Sequence, residues 1–453
     1  MYLKALELTH YRSYDSQTLT FAPGITIFVG ANGQGKTNLV EAVWYLATLA
    51  SHRVSHDGAL VMRGHPSAII RALFSRAERD LRVDLQITPG RANEVRLQGK
   101  ALARPRDVLG HVRAVLFAPE DLALVKGDPE GRRRFLDEIL FEIAPRFASI
   151  KADFDRVLKQ RNHLLKQIRA DQRRAARRPA TSDADAPRAR TRPDGPRDIG
   201  GMDPAEAAAS TLSVWDEQLA RTGAELMRAR LHLVNRLRPH VGYSYMRVAT
   251  DDGADPNLGL GPADRGQVRS PASIHYSSSV LETGASEGED GIIPPALPSA
   301  AQLYAALLTA IGERRSEDIE RGVTLVGPHR DDLEIILHDF PAKGYASHGE
   351  SWSLALALRL GSYDLLTIEE GDLGDGEPIL ILDDVFSELD VQRRERLGRI
   401  ITGAAQVLIT TANDSDIPAS LGGDARIIDV ARGTATPRAD APRAGDVGGG
   451  GWR

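Results

Sequence analysis

The chain has 453 residues, a hydrophobic fraction of 42% and a formal charge of −5. That length allows two domains with sizeable cores, and the acidic balance excludes a globally basic nucleic-acid binder while leaving local basic patches open. The absence of cysteine excludes disulfides and zinc–thiolate sites and suits a reducing cytoplasm. No apolar run approaches the ~18 residues of a membrane-spanning helix, and the alternating start Met1–Leu8 gives no export signal.

In chain order, Leu3–Leu8 and Ile25-Thr26-Ile27-Phe28-Val29 predict short strands on either side of the polar turn Tyr11-Arg12-Ser13-Tyr14. The second run feeds a glycine loop, and from Lys36 the positions Leu39, Val43, Leu46 and Ala50 take helical spacing. Residues 68–100 alternate through Leu81, Val83, Leu85, Ile87, Val95 and Leu97, which predicts antiparallel strands. An apolar stripe (Phe154, Val157, Leu158, Leu164, Leu165, Ile168) predicts a helix within Phe135–Ala170. A second helix runs from about Pro204 to Leu237, through Leu212, Trp215, Leu219 and Leu226. Between them, residues 171–203 are rich in Arg, Ala, Asp and Pro without periodicity, predicting a disordered loop at the tip of a helical hairpin. A second polar stretch at about 251–298 and the tail 431–453, with Gly448–Gly451, are expected to be disordered as well. No internal repeat is present.

The chemistry is carried by two distant segments. Gly30-Ala31-Asn32-Gly33-Gln34-Gly35-Lys36-Thr37 fits G-x-x-x-x-G-K-[ST], a loop whose backbone N–H groups and following helix cradle phosphate oxygens. Lys36 would reach the β- and γ-phosphates of ATP, and the Thr37 hydroxyl would coordinate Mg²⁺. Far downstream, Pro378-Ile379-Leu380-Ile381-Leu382-Asp383-Asp384 reads as an apolar strand with two carboxylates at the carboxyl edge of a parallel sheet. Asp383 would hold the metal, and Asp384 would orient or deprotonate the attacking water. Thr37 and Asp383 are 346 positions apart, so the ends of the chain should build one domain around an insertion. The expected division is a head of 1–110 and 311–430, an inserted helical domain of 111–310 and the tail. The fold class is therefore α/β: a P-loop, ABC/SMC-like ATPase head with mixed β-sheet lobes and an inserted, mainly helical second domain.

Ser347-His348-Gly349-Glu350 precedes an Ala/Leu-rich helix, and Ser387-Glu388-Leu389-Asp390 follows the carboxylates. A Ser-x-Gly at a helix N-terminus is usually just a cap. In the order phosphate loop, Ser-x-Gly-Glu, apolar-Asp-Asp, Ser-x-Leu-Asp it matches ATP-binding cassette heads. In that architecture Ser347 and Gly349 complete the nucleotide site of a second copy, and ATP holds the dimer together. The strand Val407-Leu408-Ile409 ends in Thr410-Thr411, where transporter cassettes carry a switch histidine; either threonine is a candidate γ-phosphate sensor.

Further segments stand between these motifs: Ser51-His52-Arg53, Pro119-Glu120-Asp121-Leu122 with Leu124-Val125-Lys126-Gly127, Arg132-Arg133-Arg134-Phe135-Leu136-Asp137 and Gly327-Pro328-His329-Arg330-Asp331-Asp332. With Tyr11-Arg12-Ser13-Tyr14, the phosphate loop and Leu382–Asp390, the chain resembles, from residue 1 to about 415, the RecF family of bacterial DNA replication and repair proteins. The resemblance implies an SMC-like head, slow ATP hydrolysis, ATP-dependent dimerisation on DNA at single-strand gaps, and action with RecR and RecO in loading RecA. His348, where the family commonly has Gln, and Ser351-Trp352, where Gln or Arg is frequent, depart from the pattern.

For DNA contact, residues 151–178 hold ten Lys/Arg against three Asp, with Arg132, Arg133 and Arg134 just upstream. Arg132, Arg133, Lys151, Arg156, Lys159 and Arg161 are the candidate contacts; the plain alternative is a solvated helix face. Aromatics at 5% argue against base stacking and favour duplex or junction phosphates. A structural SMC-type tether is the second functional reading, but its long heptad arms are lacking. A transporter cassette and a nuclease rank lower.

Overall fold

The computed structural model describes residues 1–76, 79–177, 204–249, 270–281, 297–369, 376–423 and 425–438. They form two compact units: Met1–Ala148, His232–Tyr276 and Leu333–Arg453 make the first, Ser149–Leu231 and Ser277–Asp332 the second.

The first unit opens with β1 (Tyr2–Tyr11), β2 (Tyr14–Thr20), β3 (Gly24–Val29) and helix α1 (Lys36–Thr48). There follow β4 (Ala68–Arg76), β5 (Arg79–Ile87), β6 (Glu94–Leu97), β7 (Lys100–Ala101), β8 (Ala114–Phe117), α2 (Leu122–Lys126) and α3 (Pro129–Ile143). Helices α4 (Arg146–Arg177) and α5 (Pro204–Ala249) lie partly in each unit. Strand β9 (Ala272–Ser277) comes next, and α6 (Ala300–Glu313) and α7 (Arg315–Arg321) belong to the second unit. The chain then supplies β10 (Asp332–Leu337), β11 (Phe340–Pro341), α8 (Ala342–Tyr345), α9 (His348–Ile368), β12 (Ile379–Asp383), α10 (Val391–Ile401), β13 (Gln406–Thr411), β14 (Arg426–Ala431) and β15 (Thr434–Pro437).

One six-stranded sheet, ordered β2-β1-β4-β5-β6-β7, is antiparallel throughout. The other, ordered β15-β14-β3-β13-β12-β8, is parallel except at β15. All residues of β12, β13 and β8 are buried, as parallel strands covered on both faces require. Leu3, Phe28, Leu39, Trp44, Leu46, Phe74, Leu116 and Ile381 share one core cluster, so both sheets and α1 fold as one body. Strands from both ends of the sequence lie side by side here, which is how residues 346 positions apart meet.

The structure moves several expected boundaries. Residues 111–148 do not group with an inserted domain: β8 is a strand of the parallel sheet, and Arg359 of α9 pairs with Asp121 (2.6 Å) and Glu138 (3.6 Å). The expected helix over Phe135–Ala170 is two helices, because Pro145 cannot continue α3 and holds Ala144 in an extended conformation. Helix α5 runs past Pro239 to Ala249, carried by the buried side chains of Val241, Tyr243, Tyr245 and Val248. Residues 171–177, expected in a disordered loop, continue α4; β9 falls inside the expected disordered 251–298; and residues 431–438 complete the β14–β15 hairpin. The remaining parts of those three expectations, 178–203, 251–269, 282–296 and 439–453, lie outside the described residues.

The second unit is built around Arg161, which is fully buried. Its guanidinium donates to Asp216 (2.7 Å), Asp318 (2.7 Å) and the Thr324 hydroxyl (2.8 Å), and Arg315 closes on the other oxygen of Asp216 (2.6 Å). Gly327-Pro328-His329-Arg330 is a turn of this unit. Gly327 takes a φ of +120, His329 Nε2 lies 3.1 Å from the Thr324 carbonyl, and Arg330 donates to the same oxygen (2.9 Å).

Candidate nucleotide site

The loop between β3 and α1 has two features that an anion site needs. Gly35 caps α1 without a side-chain acceptor, and the first turn carries no acidic residue, so its positive end stays available. The glycines also have local reasons. A Cβ on Gly30 would lie 2.1 Å from the Val430 carbonyl oxygen, and one on Gly35, at φ +114, would lie 2.8 Å from Ser13 Oγ. The N-terminal Tyr-Arg-Ser-Tyr turn supports this loop: Tyr14 OH donates to the Gly35 carbonyl (3.0 Å), and Asn38 donates to Ser13 Oγ (2.9 Å). From the other side, Arg432 N–H donates to the Gln34 amide oxygen (2.7 Å) and Gly433 N–H to the Gln34 carbonyl (3.1 Å).

Lys36 is buried, and its ammonium donates to the loop's own carbonyls at Gly30 (2.6 Å) and Ala31 (3.2 Å). Burial lowers its pKa, opposed by the charges of Asp384 and Asp383. The Thr37 hydroxyl donates to Asp383 Oδ1 at 2.9 Å. Asp383 also accepts from the Thr410 hydroxyl (2.6 Å), and its second oxygen lies 3.6 Å from His52 Nε2. Burial would raise this carboxyl, but the His52 imidazole and the Thr410 and Thr37 hydroxyls more than offset it, leaving the pKa below the usual value. Asp384 follows the strand at a φ of +53, and its backbone N–H is bound by the Thr410 hydroxyl (2.9 Å). One of its carboxylate oxygens, Oδ1, is buried without a hydrogen-bond partner, and burial raises its pKa while Lys36 pulls it down.

A cavity of about 310 Å³ is lined by Asn32, Gly33, Lys36, Thr37, Arg53 and Asp384, among others. The structure thus brings Lys36, Thr37, Asp383 and Asp384 together. The donor set fits a magnesium polyphosphate: a hydroxyl and a carboxylate for a hard cation, backbone amides and a lysine for phosphate, and an unpartnered carboxylate oxygen beside them.

Reading the sequence missed three participants. His52 stands against Asp383 with both ring nitrogens buried and without hydrogen-bond partners, and Arg53 lines the cavity and donates to Asn38 (3.2 Å). Both sit in a segment singled out only for its family resemblance. Of the two candidate γ-phosphate sensors, Thr410 has its hydroxyl donating to Asp383 and accepting from the Asp384 N–H, and Thr411 is buried and donates to the Asn413 carbonyl (3.3 Å). Glu41 ties the motifs together: fully buried, it accepts from Arg12 (2.8 and 2.6 Å) and from Ser51 (2.6 Å).

Ser347 is the exposed N-cap of α9, closed in a capping box with Glu350 (2.8 and 3.3 Å), whose hydrogen bonds hold the Glu350 carboxyl below its usual pKa. Gly349 lies under Arg393, whose Nη1 would be 2.7 Å from an added Cβ.

Two of the six candidate DNA contacts are corrected. Arg161 is the buried centre of the second unit, paired with two carboxylates, and cannot reach a phosphate. Arg132 is buried and closes the α2–α3 connection through the carbonyls of Leu124 (3.2 Å) and Gly127 (3.0 Å). The pairing of Arg161 with chain-distant carboxylates, and the turning-in of Arg132 onto the carbonyls of the preceding connection, leave no mark in a local run of basic residues. Arg133 is half-buried. On α4, Lys151 pairs with Asp155 (2.5 Å), Arg156 with Asp153 (2.9 Å), and Lys159 is exposed.

Fold and site together define a P-loop head of the SMC class, and residues 2–424 match the family model described as the RecF/RecN/SMC N terminal domain. A protein of Beutenbergia cavernae named DNA replication and repair protein RecF is 47% identical over 426 residues, covering 93% of this chain and 96% of that one. One of Streptomyces avermitilis with the same name is 47% identical over 423 residues, with the same coverage. A solved structure described as the recombination mediator protein RecF-ATP in the RecFOR pathway superposes with a TM-score of 0.75 at 24% identity, covering 97% of this chain and 98% of that one. The chain belongs to the RecF family.

Proposed function

We propose that this chain acts in DNA replication and recombinational repair as an ATP-dependent DNA-binding protein whose slow, DNA-stimulated ATPase times its release. The observation that carries the reading is the 2.9 Å hydrogen bond between Thr37 and Asp383, which joins the two halves of a magnesium–nucleotide site. The loop amides of Gly30–Gly35 and the Lys36 ammonium would hold the phosphates of ATP, with Lys36 exchanging its bonds to loop carbonyls for the β- and γ-oxygens. Thr37 and Asp383 would hold Mg²⁺, whose role is to neutralise phosphate charge. Asp384, with an unpartnered oxygen beside Lys36, would orient the attacking water and accept its proton at Oδ1. Ser347 and Gly349 would offer the N-terminus of α9 to the γ-phosphate bound by a second copy, so that ATP favours a homodimer.

In this reading the dimer holds DNA at single-strand gaps in the bacterial cytoplasm, and RecR and RecO are its partners. Arg133, Lys151, Arg156 and Lys159 would meet DNA phosphates. The test is sedimentation and DNA retention with and without ATP, for the wild type, Lys36→Arg and Asp384→Asn. ATP should drive both dimerisation and retention in the wild type. Lys36→Arg should lose both, and Asp384→Asn should hold the ATP-bound dimer on DNA. An ATP-independent oligomeric state and DNA affinity in the wild type would sink the proposal.

A further inference from the structure

Away from the phosphate loop, the first unit brings together a second set of metal-ligating side chains. The ligand atoms of His10, Asp15 and His65 all lie within 4.8 Å of one another. They come from three backbone segments that the fold locks to each other. His10 is the second-last residue of β1 and Asp15 the second residue of β2, across the turn between them. His65 sits in the segment after the Tyr11–Val61 bridge; Met62 N–H donates to the His10 carbonyl (2.8 Å) and His65 N–H to the Met62 carbonyl (3.1 Å). Arg12 N–H donates to the Leu60 carbonyl (2.8 Å) on the same stretch. The two imidazoles stack with centroids 3.8 Å apart and planes 23° from parallel, and His10 Nε2 lies 3.4 Å from Asp15 Oδ1. His10 holds a φ of +50, uncommon for a residue with a side chain, so the backbone at this position is fixed by its neighbours.

We propose that His10, His65 and Asp15 form a site for a divalent transition cation of the zinc type, separate from the magnesium of the phosphate loop. Two imidazoles and one carboxylate are the donor set of an open zinc site, with the fourth position left to solvent. Imidazole nitrogen selects zinc, cobalt or nickel, whereas magnesium takes oxygen donors, so the two sites divide by ligand chemistry. Tetrahedral bonds of about 2.1 Å place donors roughly 3.4 Å apart; His10 and Asp15 already stand at 3.4 Å, and no pair of the set has to close by more than the difference from 4.8 Å. Rotation of the Asp15 side chain, which is 77% exposed, and of the two rings supplies that movement.

A cation here would staple the β1–β2 turn to residues 61–65. The same turn carries Ser13 and Tyr14, which hold Asn38 and Gly35 at the base of the phosphate loop. Bound metal would therefore stiffen the platform under the nucleotide without entering the reaction.

The test uses the untagged full chain, stripped with a chelator and returned to magnesium buffer. Zn²⁺ is titrated by calorimetry and Co²⁺ by visible absorption. We expect one equivalent bound with micromolar or tighter affinity, the absorption of a four-coordinate cobalt centre, and a raised melting temperature. His65→Gln and Asp15→Asn should each weaken binding by about tenfold or more, in line with the loss of one ligand group; Asp15, being exposed, keeps the test open if the histidine variant folds poorly. No saturable binding below millimolar metal would overturn the inference. So would wild-type affinity retained in both variants, which would place the metal on others of the 12 histidines.

Discussion

At the scale of single residues, the two adjacent carboxylates respond to their surroundings in opposite ways. Asp383 is held below the usual carboxylate pKa, so its contribution to stability is present at neutral pH and fades as pH falls through its folded value. Asp384 is raised, so the folded state loses stability as pH climbs through its titration and stays lower above it. Asp384→Asn, which also tolerates the positive φ, should therefore raise the melting temperature at neutral pH. The gain should shrink as the pH is lowered and the wild-type carboxyl takes up its proton; a melting series from neutral to acidic pH checks both sign and trend. The loop glycines separate just as clearly. Gly30→Ala drives a Cβ into the backbone of β14 and should cost about 2–3 kcal/mol in denaturant titrations. Gly33→Ala meets nothing within 4 Å and should cost only the left-handed backbone term, about 1 kcal/mol.

Among elements, the joint that matters is Glu41. It links α1 to the β1–β2 turn through Arg12 and to the segment after α1 through Ser51. Removing one partner of a buried pair leaves the other without compensation, so Glu41→Ala should cost about 3 kcal/mol. Glu41→Gln keeps the shape and some of the hydrogen bonds and should cost less. Equal losses in the two variants, read from urea midpoints, would mean that packing rather than the ion pair holds this joint.

For the whole molecule, exposure decides what a basic residue does. Arg156→Ala and Lys159→Ala should leave stability within about 0.5 kcal/mol, because both lie on an exposed helix face. Each should flatten the dependence of log DNA affinity on log salt by about one. Arg161→Ala should do the reverse, destabilising the second unit by about 3–5 kcal/mol by taking the guanidinium from buried Asp318 and leaving Asp216 only Arg315. Melting curves and salt titrations on the three variants separate the two roles.

The sequence by itself determined the P-loop class. A glycine loop and an apolar strand ending in Asp-Asp are local patterns, and their chemistry depends on residue type and spacing within a few positions. The antiparallel strands over 68–100 and the cap at Ser347 were legible for the same reason: period and capping are short-range. Only the tertiary structure decided that β8 belongs to the parallel sheet, that Arg161 and Arg132 are interior, and that His52 stands against Asp383. Those outcomes depend on which chain-distant groups meet and exclude water. An arginine that will be neutralised by two buried aspartates reads, in sequence, like one that will lie on DNA.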